Sequence, residues 1–200
     1  SKVTFFLLWV FALPMMVKME TILGIWLTTV PPDAVLFSQL ALVEALILSI
    51  SMPLTAAARA PGKMKAYELT LGTIQIGIFL TAWAVIAAGA PAYSVFIVAI
   101  IANIMMFGVR LFLVSRLTGL PVVNFLRFTA LPVLAIVVVT ALPVTYMSQM
   151  LPNGFYWSLL VIFTSFVVST IAMYFIGLEK AWRAKVVTMI RSKLPKLQSA

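Results

Sequence analysis

"VTFFLLWVFALPMMVKMETILGIW", residues 3–26, decides how many times this chain crosses a membrane. A bilayer hydrocarbon core about 30 Å thick takes about 20 residues of helix, so the stretch has the length of one span. Lys18 and Glu20 are the difficulty, because they interrupt an otherwise apolar run. A charge at the bilayer centre costs roughly 2.5–3.5 kcal/mol on insertion scales, so it is expected to face protein or water rather than lipid. With residues 3–26 as one helix, the chain has six spans.

The rest of the chain supports a membrane setting. It is 64% hydrophobic and 10% charged, with mean hydropathy +1.15. A soluble domain is roughly 45–50% apolar and about 25% charged, and no soluble core of 200 residues could hide the difference. The apolar runs are continuous instead of alternating, which selects helices over a closed β-barrel. Cysteine and histidine are absent, which removes disulfides, thiolate chemistry and the usual transition-metal ligands. The first apolar run is too long for a cleavable leader and lacks a small-residue cleavage site.

Six segments have spanning length: 3–26, 34–57, 67–88, 93–115, 125–147 and 155–177. They are separated by breaker-rich links such as "TTVPPD" (28–33), "RAPGKMKA" (59–66) and "AGAPAY" (88–93). The expectation is an all-α integral membrane protein, with a six-transmembrane-helix bundle over 1–177. Short links imply that consecutive helices pack as antiparallel neighbours. Lys2, Arg59, Lys63, Lys65, Arg116 and Arg127 fall on one side of that arrangement, and the opposite links carry only Asp33. By the positive-inside rule both termini are cytoplasmic. Trp26, Tyr93, Tyr146 and Trp157 near the outer ends suit an aromatic belt. The tail, 178–200, reads as a basic amphipathic helix that lies on the anionic leaflet through Lys180, Trp182, Arg183, Lys185 and Arg191. The net charge of +9 therefore serves topology and contact with membrane lipids, not nucleic acid.

Polar groups at membrane depth are the candidate site. In a straight first span Lys18 lies roughly 12 Å below Trp26, and Glu44 lies roughly 16 Å past Asp33, so the two are placed to pair. Pro14 is expected to kink the first helix below Lys18. Glu20 is off the face of Lys18 and close enough to the outer end to snorkel to the headgroups. Arg110 is near a helix end, where snorkelling is easy, yet it shares a face with Asn103. Hydroxyl stripes at helical spacing, Thr70/Thr73/Thr81 and Ser158/Ser165/Ser169, are the signature of close helix packing in lipid. No nucleophile–base pair, metal cluster or group of converging carboxylates is present, so no catalytic or metal-binding residue is assigned and an enzyme is not expected.

Three stretches carry a family likeness: "SISMPLTAAARAPGKMKAYELTLG" (49–72), "PAYSVFIVAIIANIMMFGVRLFLVSRLTGLPVVNFLR" (91–127) and "FFLLWVFALPMMVKMETILGIWLTTVPPDAVLFSQL" (5–40). Together they resemble bacterial O-antigen and polysaccharide flippases of the multidrug/oligosaccharidyl-lipid/polysaccharide exporter superfamily. That resemblance implies one lobe, the C-terminal half, of a two-lobed transporter in the bacterial cytoplasmic membrane. The substrate would be a polyprenyl-pyrophosphate-linked oligosaccharide, moved by alternating access, and the partner an N-terminal lobe.

The path through such a lobe is assigned from depth and chemistry. Lys18 and Arg110 supply cations for a pyrophosphate, and Asn103 and Gln75 supply neutral partners for sugar. Glu44 is the carboxylate available if a proton or sodium ion couples transport; no other cofactor is expected. A drug exporter of the same superfamily and a non-transporting scaffold of a polysaccharide assembly complex are the alternatives.

Overall fold

The chain was described from a computed structural model, which covers residues 1–27, 29–59, 65–152 and 154–177, the side chain of Trp26 excepted. The tail residues Lys180, Trp182, Arg183, Lys185 and Arg191, and also Lys63, lie outside the described residues. Continuous apolar runs between breakers fold as helices throughout: α1 (Lys2–Val17), α2 (Met19–Trp26), α3 (Ala34–Arg59), α4 (Lys65–Ala87), α5 (Ser94–Thr118), α6 (Val122–Phe125), α7 (Leu131–Met150) and α8 (Phe155–Ala172). Wider π-helical turns, Leu126–Ala130 and Met173–Gly177, join α6 to α7 and extend α8. Five segments are long and apolar enough to cross a membrane: Ala34–Arg59, Lys65–Ala87, Ser94–Thr118, Val122–Met150 and Phe155–Gly177. These are the second to sixth expected spans.

The first expected span is not one straight helix. Between α1 and α2 the chain bends by 86° at Lys18. Lys18 is the pivot: its N–H closes α1 on the Pro14 carbonyl at 3.1 Å, and its carbonyl opens α2 by accepting from the Ile22 N–H at 3.0 Å. The break thus falls one turn beyond Pro14 and not below Lys18. Carbonyls in the last turn of a helix lack intrahelical donors and must find others. Here the Gln39 side chain donates from Nε2 to the Met16 carbonyl at 2.8 Å, so α3 supplies the bond that helix continuation would have given. At 1.5 Å per residue the 16-residue α1 is about 24 Å long, and α2 turns away across its end.

Two apolar cores sit on either side of α3. In one, Phe5, Phe6, Trp9 and Leu13 of α1 pack against Leu46 of α3, Val133, Ile136 and Val144 of α7, and Val161 of α8. In the other, Leu54 and Ala58 of α3 pack against Tyr67 and Leu71 of α4 and Met106, Leu111 and Val114 of α5. The lateral order is therefore α4, α5, α3, α1, then α7 with α8. The expectation that sequence neighbours pack together fails at α3, whose principal partner is α5 rather than α4. Since α3 and α5 are two spans apart they run parallel, and α4 is left at the edge, packed on α5.

The parallel pair keeps a fixed register. Phe37 stacks on Phe96 with ring centroids 5.8 Å apart, Glu44 meets Asn103, and Ser51 meets Arg110. Each pair is 59 residues apart, and successive pairs are seven residues on. A seven-residue repeat keeps one seam of two helices in contact, the geometry of shallow left-handed crossings that dominates membrane bundles.

Outside and inside are inverted relative to a soluble protein. Leu69, Phe79, Trp83, Met105 and Phe163 lie on the outer surface, each more than 60% exposed, whereas Ser158, Ser165 and Ser169 of α8 are buried. The serine stripe therefore does pack inside the bundle, where α8 meets α1 and α7. The threonines of α4 do not. Thr70, Thr73 and Thr81 are exposed and return their hydroxyls to the carbonyls of Ala66, Leu69 and Gly77, a self-contained bond that needs no neighbour. At the far end of α8, Gly177 is a fitted contact: a Cβ there would come within 2.6 Å of the Phe6 ring.

Candidate functional site

Polar chemistry at membrane depth gathers in two places. The first is the α3–α5 seam, where the seven-residue register brings together side chains from helices that are not sequence neighbours. Asn103 donates from Nδ2 to Glu44 Oε1 at 3.0 Å. Asn103 is buried and Glu44 half-buried, so the amide takes one of the carboxylate's acceptor sites and leaves the rest open. Two turns further on, Arg110 donates from Nη1 to Ser51 Oγ at 3.0 Å and to Met52 Sδ at 3.5 Å, and from Nη2 to Met106 Sδ at 3.6 Å. Below it, Tyr67 of α4 donates its hydroxyl to Thr55 Oγ1 at 3.1 Å.

Arg110 is under-supplied with acceptors. A guanidinium carries five N–H donors and has no acceptor of its own. Its partners here are one hydroxyl and two thioethers, which are weak acceptors, and its Nε is buried with no partner. Among the described residues no carboxylate pairs with it. Glu44 is seven residues up the seam, about 10 Å along the axis, and engaged with Asn103. Placed 16 residues into α5, Arg110 sits about 24 Å from the Ser94 end, toward the other face of the bundle. Arg110 is thus a cation held, among the described residues, by neutral partners alone.

The second place is a cavity of about 630 Å³ at the other end, where α1 breaks. Lys18, Glu20, Thr21, Gln39 and Ser158 contribute its polar lining. Thr21 donates to Ser158 Oγ at 3.1 Å, tying α2 to the first turn of α8. Both charged residues face this cavity because the chain turns at Lys18. The expectation that Glu20 points away from Lys18 holds only for a straight helix.

The same bend undoes the expected Lys18–Glu44 contact. Lys18 stands at the end of α1 and not two turns below it. Gln39, which bonds α1 at Met16, is five residues above Glu44, about 7.5 Å nearer the α2 end. Lys18 and Glu44 therefore differ in depth, and the carboxylate takes Asn103 instead. Gln75 lies on exposed α4, apart from both polar groups. Among the sequence candidates, then, Glu44, Asn103 and Arg110 share one seam, Lys18 belongs to the cavity, and Gln75 joins neither. Gln39 was not singled out from sequence, although an amide inside a span is the same signal that marked Asn103.

Among the described residues no group of His, Cys, Asp or Glu could hold a metal ion. Comparison with protein-family models, with curated proteins and with solved structures finds no match for this chain.

Proposed function

We propose that this multi-pass membrane protein is one six-span lobe of a bacterial cytoplasmic-membrane transporter, the bent α1–α2 pair serving as the first span. Its cargo is a polyprenyl-pyrophosphate-linked oligosaccharide, moved between leaflets by alternating access against a second lobe. The observation that carries this reading is Arg110: a guanidinium at membrane depth, held only by neutral partners and with donors to spare, suits a diphosphate that arrives and leaves. A permanent carboxylate partner would compete with such a cargo. Asn103 and Glu44, two turns away on the same seam, offer a donor and acceptors spaced for sugar hydroxyls. The resemblance of residues 5–40, 49–72 and 91–127 to O-antigen flippases supplies the substrate class.

The test is reconstitution with the companion lobe. Proteoliposomes loaded with a polyprenyl-diphosphate oligosaccharide on one leaflet should expose the sugar to lectin on the other. Movement of a hydrophobic cation with no movement of sugar would assign the drug-exporter alternative.

The topology has its own test. Lys2, Arg59, Lys65, Arg116 and Arg127 stand at the helix ends opposite Asp33, which supports a cytoplasmic side for those ends by the positive-inside rule. Single cysteines introduced at 31–33, 88–92 or 151–152 should react with an impermeant maleimide added outside intact cells, and cysteines at 59 or 65 should react only after lysis. Labelling of 59 or 65 in intact cells reverses the orientation.

A further inference from the structure

We infer that the cavity at the α1–α2 break binds the headgroup of a zwitterionic phospholipid that carries a primary ammonium. Lys18 and Glu20 face one cavity with opposite charges, yet among the described residues neither forms an ion pair. Two residues apart at the start of α2, they are not spaced to meet as an i, i+3 or i, i+4 pair would, so each charge is left to a third group. Lys18 is the junction that closes α1 and opens α2, Glu20 lies in the first turn of α2, and Thr21 and Gln39 are fixed in the same cavity by bonds to Ser158 and Met16. A phosphate answers Lys18 and an ammonium answers Glu20; one phosphoethanolamine headgroup carries both a few bonds apart. The amide of Gln39 donates to Met16, which leaves its Oε1 as a further acceptor for ammonium protons.

Depth and size agree. The cavity lies at the α2 end of the bundle, beside Phe155 and next to the strongly exposed Tyr156 and the exposed Trp157, the aromatic company typical of headgroup level. Its volume of about 630 Å³ is within the roughly 300–1,000 Å³ of small-molecule sites. The chemistry also ranks the lipids. A phosphatidylglycerol headgroup satisfies Lys18 but not Glu20. A phosphatidylcholine headgroup has the charges but no N–H to give the carboxylate.

The experiment is native mass spectrometry of the full chain released from nanodiscs that contain equal amounts of phosphatidylethanolamine, phosphatidylglycerol and phosphatidylcholine. The wild type should retain phosphatidylethanolamine above both others. K18Q and E20Q should each lower that retention about tenfold, the loss of one charge-assisted hydrogen bond, while K18R and E20D keep most of it. Equal retention of the three lipids, or phosphatidylglycerol at or above phosphatidylethanolamine, overturns the assignment. So does unchanged retention in both neutral variants. If a variant fails to fold, the wild-type lipid order decides alone. Sugar movement through the Arg110 seam is a separate measurement, and neither result determines the other.

Discussion

On the proposed function, R110M in a complete transporter should lower export of the lipid-linked sugar at least about a hundredfold, because two charge-assisted hydrogen bonds to a diphosphate are each worth roughly 1.5–3 kcal/mol. The folded lobe should not suffer. Arg110 is half-buried with Nε unpartnered and thioethers as two of its three acceptor contacts. Methionine there would sit beside Met52 and Met106 and remove a desolvated charge, a change that is often neutral or stabilising. Export and stability are thus expected to move in different directions, which a purely structural arginine would not allow. R110K should be intermediate, because it keeps the charge but loses the planar fork that grips two phosphate oxygens. Export by R110M at the wild-type level, with normal insertion, removes Arg110 from the path.

The largest expected loss of stability is at Trp9. The ring is buried, stacks on Phe5 with centroids 5.9 Å apart and planes 12° from parallel, and donates from Nε1 to Thr140 Oγ1 at 2.9 Å. Thr140 in turn donates to the Ile136 carbonyl at 2.7 Å, so one indole links α1 to the backbone of α7. A Trp→Ala change in a water-soluble core costs about 3–5 kcal/mol. In lipid the unfolded reference is already apolar, so packing and cavity terms remain while much of the transfer term does not. We expect W9A to cost roughly 2–3 kcal/mol in denaturant titrations in mixed micelles. W9F keeps the stack and drops the hydrogen bond; it should cost only about 0.6 kcal/mol, the mean for interhelical hydrogen bonds in membranes. A W9A cost no larger than that of W9F would show that the indole does not organise this core.

Much of this architecture was legible in the sequence, for physical reasons that also set the limits. Five spans were readable because length and hydropathy are local properties that the bilayer itself imposes. The break at Lys18 was not. Hydropathy is blind to an 86° turn, and the bond that replaces the lost helical one comes from Gln39, 23 residues beyond the carbonyl it caps. The seam was half legible. Asn103 and Arg110 could be placed on one face of their helix, and Glu44 and Ser51 on one face of theirs. That these two faces meet required knowing that α3 bypasses α4, a choice made by packing. Hydroxyl stripes show the same boundary: the serines of α8 are buried, the threonines of α4 are exposed, and periodicity alone does not distinguish them.

The 59-residue offset between α3 and α5 also carries a schedule. A chain made at about 5–20 residues per second leaves Glu44 without its amide, and Ser51 without its guanidinium, for roughly 3–12 s after each is synthesised. During that interval α4 is threaded and then set aside at the edge. Until α5 arrives, the carboxylate of α3 lacks the amide that it bonds in the finished bundle. Biogenesis of this bundle is timed by the arrival of α5, and a pause in translation between residues 44 and 103 would lengthen the time that Glu44 spends without its partner.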